Sequence, residues 1–358
     1  MRKTFVLLSV VSLFVSCSSD DASKKYLQCG EVEYVSDFPK VFEIKALERL
    51  DLDLTGCVNF FIADTLLVCE YPEKDLYWEV HSLNDLSLKG RIISKGHGHN
   101  EFSNMPTSID TDVKRDSGIY CNLFCSEDKF YQCNISESLE DTVSSLREFH
   151  VKAKLGDASS INEISDSEYF ILNYMGQGYK RMLLKNGTVK ELENIGNLND
   201  VRMKKDINVV SSVRCFNKQD RLVAEAMLRL NQINLYSLDG KPGKTLCVGD
   251  EQMSLTEADE TPKSSSNKMF GCIQACGDFF VAAYHDIYYN DYFEGKGKTN
   301  LMFFDWQGSP LLRINMPFVA TSFAVSDDMV VYLLESNTKN EAVYKYDLKN
   351  EMAYLKNI

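Results

Sequence analysis

Histidine is scarce in this chain, with five among 358 residues. Serine and cysteine nucleophiles need an adjacent base, most often histidine, so few such sites can be assembled. The short motifs of catalysis are missing too: there is no G-x-S-x-G elbow, P-loop or H-E-x-x-H helix. No C-x-x-C or Cys/His zinc spacing occurs. Positive charge is in deficit, 39 Lys and Arg against 52 Asp and Glu, and no basic cluster relieves it. Phosphate backbones and anionic head groups are bound through Lys and Arg, so nucleic acid is excluded as a partner, as is electrostatic docking to lipid. Helix-length amphipathic segments are nearly absent; the weak exceptions are SESLEDTVSSLREF and LVAEAMLRL.

The first residues read as a targeting signal. Arg2 and Lys3 precede FVLLSVVSLFV, an apolar run of h-region length that is short for a bilayer-spanning helix. Phe14-Val15-Ser16-Cys17 then resembles a lipoprotein box, followed by the polar SSDDASKK. The expectation is a signal peptide at 1–16, a lipid-anchored tether and N-terminal segment at 17–39, and the folded body at 40–358. Acylated Cys17 would anchor the protein, since each buried methylene contributes about 0.8 kcal/mol and two or more chains hold stably. A plain secretory signal is the alternative. Asp20 and Asp21 resemble the acidic export tag of surface lipoproteins. The expected location is the cell envelope, as an outer-membrane lipoprotein facing the periplasm or the surface.

Ten cysteines follow Cys17, in apolar contexts such as LLVCEY, IYCNLFC and FGCIQACG. Cysteine in such runs behaves as a small buried hydrophobe, so core thiols are expected over disulfides or metal ligands.

Short runs of Val, Ile, Leu, Phe and Tyr alternate with polar turns along most of the chain. FFIADTLLVCEYPEKDLYWEVHSLNDLSLKGRIIS reads as four strands with turns at Asp64 and Asn84-Asp85. The same order returns with turns at Asp166 and Asn186-Gly187, then near Gln219-Asp220 and Asp239-Gly240. Six such units recur about every 40 to 60 residues, the period of a four-stranded blade. The fold class is therefore all-β, a six-bladed β-propeller of four-stranded antiparallel blades, with two stacked sandwiches as the alternative. KVFEIKAL is a spare strand for closure, although the last unit already reads as four strands.

The lipobox, the six units and Gly96-x-Gly98-x-x-Glu101-Phe102 together resemble the TolB-like six-bladed propeller lipoproteins of Gram-negative gut anaerobes. The resemblance covers nearly the whole mature chain and implies fold and envelope location but little chemistry. It departs at His99-Asn100, where relatives tend to carry Pro-Gly.

In a propeller, inter-blade connectors and second-to-third-strand loops share one rim. KGHGHNEFSNMP, GDEQMSLTEADETPKSSSNK and the insertion HDIYYNDYFEGKGKTN all belong to these classes. Loops on a rigid scaffold commonly carry binding. The candidate ligand-binding rim is thus His97, His99, Glu101, Phe102, His285, Asp286, Tyr288, Tyr289, Tyr292 and Phe293. Aromatic faces beside carboxylates and amides suit a glycan or peptide; a partner protein is a further candidate. No catalytic residue, cofactor or metal ligand is assigned. Alternatives kept open are Zn²⁺ on His97 and His99 with His285, Asp286 or Glu101, and a Ca²⁺-dependent lactonase or esterase in the channel, which would require polar inner-strand residues such as Asn59. Most inner strands read as apolar. Asp64-Thr65-Leu66 and Asp141-Thr142-Val143 resemble an O-glycosylation pattern.

Overall fold

The computed structural model describes residues 25–115, 118–125, 129–141, 144–149, 157–165 and 167–355. Cys17 and the signal lie outside these residues, as do Thr142, Val143, His150 and Asp166. Six small sheets follow one another along the chain, at 59–102, 107–149, 158–191, 212–248, 267–315 and 322–347. Each runs antiparallel outward from its inner strand, and in blade 1 Glu101–Phe102 adds a fifth strand parallel to Leu88–Lys95. The chain is a six-bladed β-propeller.

Strand alternation explains why the sheets must sit side by side. Residues of both faces are apolar, so each blade needs a neighbour on each side. Six buried clusters form, one in every gap. Phe61, Val80 and Cys121 pack between blades 1 and 2, and Phe130, Ile161 and Ile171 between 2 and 3. Phe170, Val223 and Tyr236 fill the next gap, Phe270, Phe280 and Phe304 the fourth, and Phe303, Phe323 and Leu333 the fifth. Phe60, Leu67 and Leu334 close the ring between 6 and 1.

The cysteines join these clusters. Cys29, Cys57, Cys69, Cys133, Cys215 and Cys247 are buried thiols, while Cys125, Cys272 and Cys276 are half-buried. Burial pushes the thiols of Cys29, Cys125, Cys133 and Cys276 up to about 12.

Closure uses the N-terminal segment differently from the expectation. Gly30–Val35 adds to blade 4 as a fifth strand, parallel to Gly243–Val248. Val41–Glu43, within KVFEIKAL, lies parallel to Pro310–Asn315 on blade 5. Glu48–Arg49 then supplies the outer strand of blade 6, antiparallel to Glu341–Asp347. Residues 30–49 thus lie along sheet edges, covering backbone groups that would otherwise be open to pairing. The last unit has only three strands of its own. Lys349–Leu355 is a helix, built from good helix formers, with Asp347 Oδ1 accepting from the Lys349 N–H at 2.9 Å.

The two suspected helices also separate. Ile135–Glu140 is helical, with Asn134 as its N-cap. LVAEAM is instead the strand Leu222–Met227, because pairing on both edges and burial on both faces outweigh its helix propensity.

Candidate functional site

Antiparallel order sends the start of every inner strand to the rim that carries the connectors. The residues at these starts are polar: Asn59, Thr107 and Ser108, Ser160, Ser212, and Thr321 with Ser322. Together with Asn162 and Arg214 they line the mouth of a central channel of about 370 Å³. The expectation of apolar inner strands fails here. The lining is mixed: Ile161, Val213, Cys272 and Ile273 stand at the mouth beside the polar residues.

Hydrogen bonds fix this lining from blade to blade. Ser322 Oγ donates to Asn59 Oδ1 at 2.9 Å. Asn59 Nδ2 donates to Glu70 Oε2 at 2.8 Å, and Ser108 Oγ reaches Glu70 Oε1 at 3.2 Å. Glu70 is buried behind the lining, and burial raises its carboxyl pKa against those donors. On the far side, Arg214 Nη2 donates to Ser160 Oγ at 2.7 Å and Nη1 to Ser212 Oγ at 2.8 Å. Behind them Arg181 grips Glu225 with Nε and Nη2 at 2.9 and 2.8 Å. Burial pushes the Glu225 carboxyl up, but the charge and hydrogen bonds of Arg181 hold it at about 2.

A larger cleft of about 590 Å³ opens on the same rim between blades 2 and 3. Phe102, Phe124, Tyr174 and Tyr179 line it together with the polar Asn104, Asp157 and Ser159. Tyr174 is 39% exposed and meets Tyr179 edge-on with centroids 6.2 Å apart. Thr107 and Phe124 border both cleft and channel, so the two spaces are contiguous.

The residues expected on the rim are there, but they do not converge. His97 and His99 are exposed on the connector from blade 1 to blade 2. Glu101 turns inward on that connector, accepting from the Gly98 N–H at 2.8 Å; a Cβ on Gly96 would lie 2.0 Å from its Oε2. Asn100 has φ +61°, a left-handed position suited to Asn or Gly. Phe102 is buried against Tyr131, edge-on at 5.2 Å, and of the ten it alone lines the cleft.

The second group lies on blade 5. His285 is buried, its Nδ1 3.0 Å from Thr299 Oγ1, and burial lowers its pKa to about 3. Thr299 Oγ1 also accepts from the Ala320 N–H at 2.8 Å. Nε2 has no hydrogen-bond partner among the described residues. Asp286 accepts from Asn267 Nδ2 at 2.7 Å. The insertion folds as the short helix Tyr289–Phe293, with Tyr289 and Tyr292 buried and Tyr288 and Phe293 exposed at 56% and 54%. Among the described residues, no three His, Cys, Asp or Glu side chains cluster closely enough to hold a metal ion.

The Ser-rich connector has a structural task. It forms the helix Leu255–Glu260, and Asp259 accepts from the backbone N–H groups of Lys204, Lys205 and Asp206. Arg229 donates to Asp206 Oδ2 at 2.5 Å and to the Thr261 carbonyl at 2.8 Å. Two long connectors are thereby tied together.

The channel residues had a trace in the sequence. A hydroxyl or amide stands at the head of most first strands, as in VNFF, PTSI, SSIN, SSVR and ATSF. The cleft had none, because its rings come from different blades.

No protein family and no curated protein matches the chain. Solved structures do. A member of the DUF4221 family from Bacteroides vulgatus aligns over 84% of this chain and 94% of its own, at 12% identity and a TM-score of 0.51. Regucalcin from Agrobacterium tumefaciens, described as a calcium-binding protein, aligns over 86% and 94% at 12% identity and 0.47. A chain described as exported, from Bacteroides fragilis, aligns over 88% and 98% at 11% and 0.47. At these identities the likeness is one of fold. Among the described residues no helix is long and apolar enough to cross a membrane.

Proposed function

We propose that this protein is a lipid-anchored binding propeller of the cell envelope whose cleft between blades 2 and 3 takes a glycan. The cleft itself carries the reading. It places exposed Tyr174 and the rings of Tyr179, Phe102 and Phe124 beside hydroxyls, an amide and Asp157. Flat rings cover the apolar faces of sugars while polar groups read their hydroxyls. The His97–Glu101 connector and the exposed Tyr288 and Phe293 add outlying contacts on the same rim. The anchor is supported by residues 1–24 of the sequence, with Cys17 as the acylated residue.

Calorimetric titration with neutral oligosaccharides tests the cleft. Tyr174→Ala is expected to weaken binding about tenfold, or 1.4 kcal/mol. No binding to the parent, or equal binding by the variant, overturns the glycan; capture of peptides in its place makes the ligand a peptide. Palmitate labelling that vanishes in Cys17→Ser supports the anchor, and an unlabelled parent removes it. Among the described residues the channel lining offers the hydrolase reading hydroxyls, amides and one guanidinium but no carboxylate.

A further inference from the structure

The charges around Arg214 do not balance locally. Arg181 holds both oxygens of Glu225. Tyr236 Oη donates to Glu225 Oε2 at 2.8 Å, and the Ser212 hydroxyl donates to Oε1. Glu225 is thus occupied, and Arg214 approaches it only to 3.7 Å. Among the described residues the remaining contacts of Arg214 are uncharged: the hydroxyls of Ser160 and Ser212, the Ser212 carbonyl at 3.4 Å, and the Phe170 ring at 5.9 Å. Its side chain is only 9% exposed, and its Nε has no hydrogen-bond partner among the described residues. Two buried guanidinium groups therefore share one carboxylate. A desolvated cation without its own counter-ion is costly, and guanidinium is the side chain best matched to a planar carboxylate.

We propose that the channel mouth is a carboxylate receptor centred on Arg214, so that the glycan of the adjoining cleft is an acidic one whose uronate carboxylate enters the channel. This rests on the glycan reading above. The surplus beside Arg214 is local and amounts to a single charge, and Glu70 stands behind another part of the wall with neutral donors, so the mouth suits a monoanion better than a phosphate dianion. The geometry of approach is available because Thr107 and Phe124 border both spaces. Ser160 and Ser212 hold Arg214 from one side, and Asn59, Thr321 and Ser322 provide neutral polar groups elsewhere around the mouth.

The test compares glucuronate with glucose by calorimetry at low ionic strength. Glucuronate is expected to bind at least tenfold more tightly, and Arg214→Gln to abolish the difference. Equal binding of the two sugars overturns the proposal, as does a preference that survives in Arg214→Gln. If that variant fails to fold, Ser160→Ala decides: a preference reduced several-fold supports the receptor, and an unchanged one overturns it. Tyr174→Ala separates the two readings. Arg214-dependent glucuronate binding that ignores Tyr174 removes the cleft and keeps the receptor. Tyr174-dependent binding of neutral oligosaccharides with no gain from the carboxylate does the reverse.

Discussion

Ser322 Oγ donates to Asn59 Oδ1 across 2.9 Å, although 263 residues separate the two in sequence. The bond joins the inner strand of the last blade to that of the first. Glu48–Arg49 makes the corresponding join at the outer edge. The ring is therefore latched at both radii.

The inner latch is testable. Ser322→Ala leaves Asn59 Oδ1 without its donor, at a cost of about 1–2 kcal/mol for a half-buried acceptor. The midpoint of urea unfolding is expected to fall accordingly, and an unchanged midpoint would show that the outer strand alone secures closure.

Glu225 gives the fold an acid limit. Its folded carboxyl lies at about 2 against an ordinary 4.5, so its contribution is complete above pH 4.5 and is lost as pH falls toward 2. The shift corresponds to about 3 kcal/mol. Glu225→Gln is expected to be less stable at pH 7 by about 3–5 kcal/mol, because Arg181 loses its partner. Its stability should vary less than the parent's below pH 4.5, as followed by denaturant titration at several pH values.

Gly271 leaves room for a ring. A Cβ there would lie 2.5 Å from His285 Nε2, and His285 is fixed between Thr299 and the edge of Tyr292, whose centroid is 5.0 Å away. Gly271→Ala is therefore expected to cost about 1–3 kcal/mol by overpacking. The double variant Gly271→Ala, His285→Ala should recover part of that loss in thermal unfolding.

Asp259 accepts from three consecutive backbone N–H groups. Burial raises its carboxyl pKa, but those bonds bring it below the usual range. Asp259→Ala strands the three donors and should cost about 1–3 kcal/mol. Hydrogen exchange at 204–206 should rise well before the blades open.

Buried thiols react slowly because the thiolate is the nucleophile. Maleimide is expected to reach Cys125, Cys272 and Cys276 first in the native protein, and Cys29 and Cys133 only on unfolding. Mass spectrometry of labelled peptides checks the order.

The architecture was legible because strand alternation and turn residues leave local marks. Asp64, Asn186 and Gly240 all adopt positive φ at turns the sequence marked with Asp, Asn or Gly. The cysteines were legible for the same reason, since their apolar neighbours declare a core. Closure was not: the two-residue strand Glu48–Arg49 has no periodicity to display, and KNEMAYL reads as an extra strand until its helix formers are weighed against the outer edge it leaves open. The site was less legible still. The cleft brings Phe102 together with Tyr174 from another blade, and Arg214 acquires its meaning only beside Arg181 and Glu225. Tyr289 and Tyr292 show the converse. Their aromatic density resembled a binding surface, yet both rings are buried in the insertion.

Residues 30–49 find their sheet partners at 243–248, 310–315 and 341–347. This early segment thus waits for the last three blades before its backbone is fully paired. Such distant contacts slow folding and tie it to completed synthesis. A chain interrupted before its final blade would still pair 30–35 and 41–43 but would leave Glu48–Arg49 without its partner strand, so incomplete copies should be open to proteolysis around a segment that the finished ring protects.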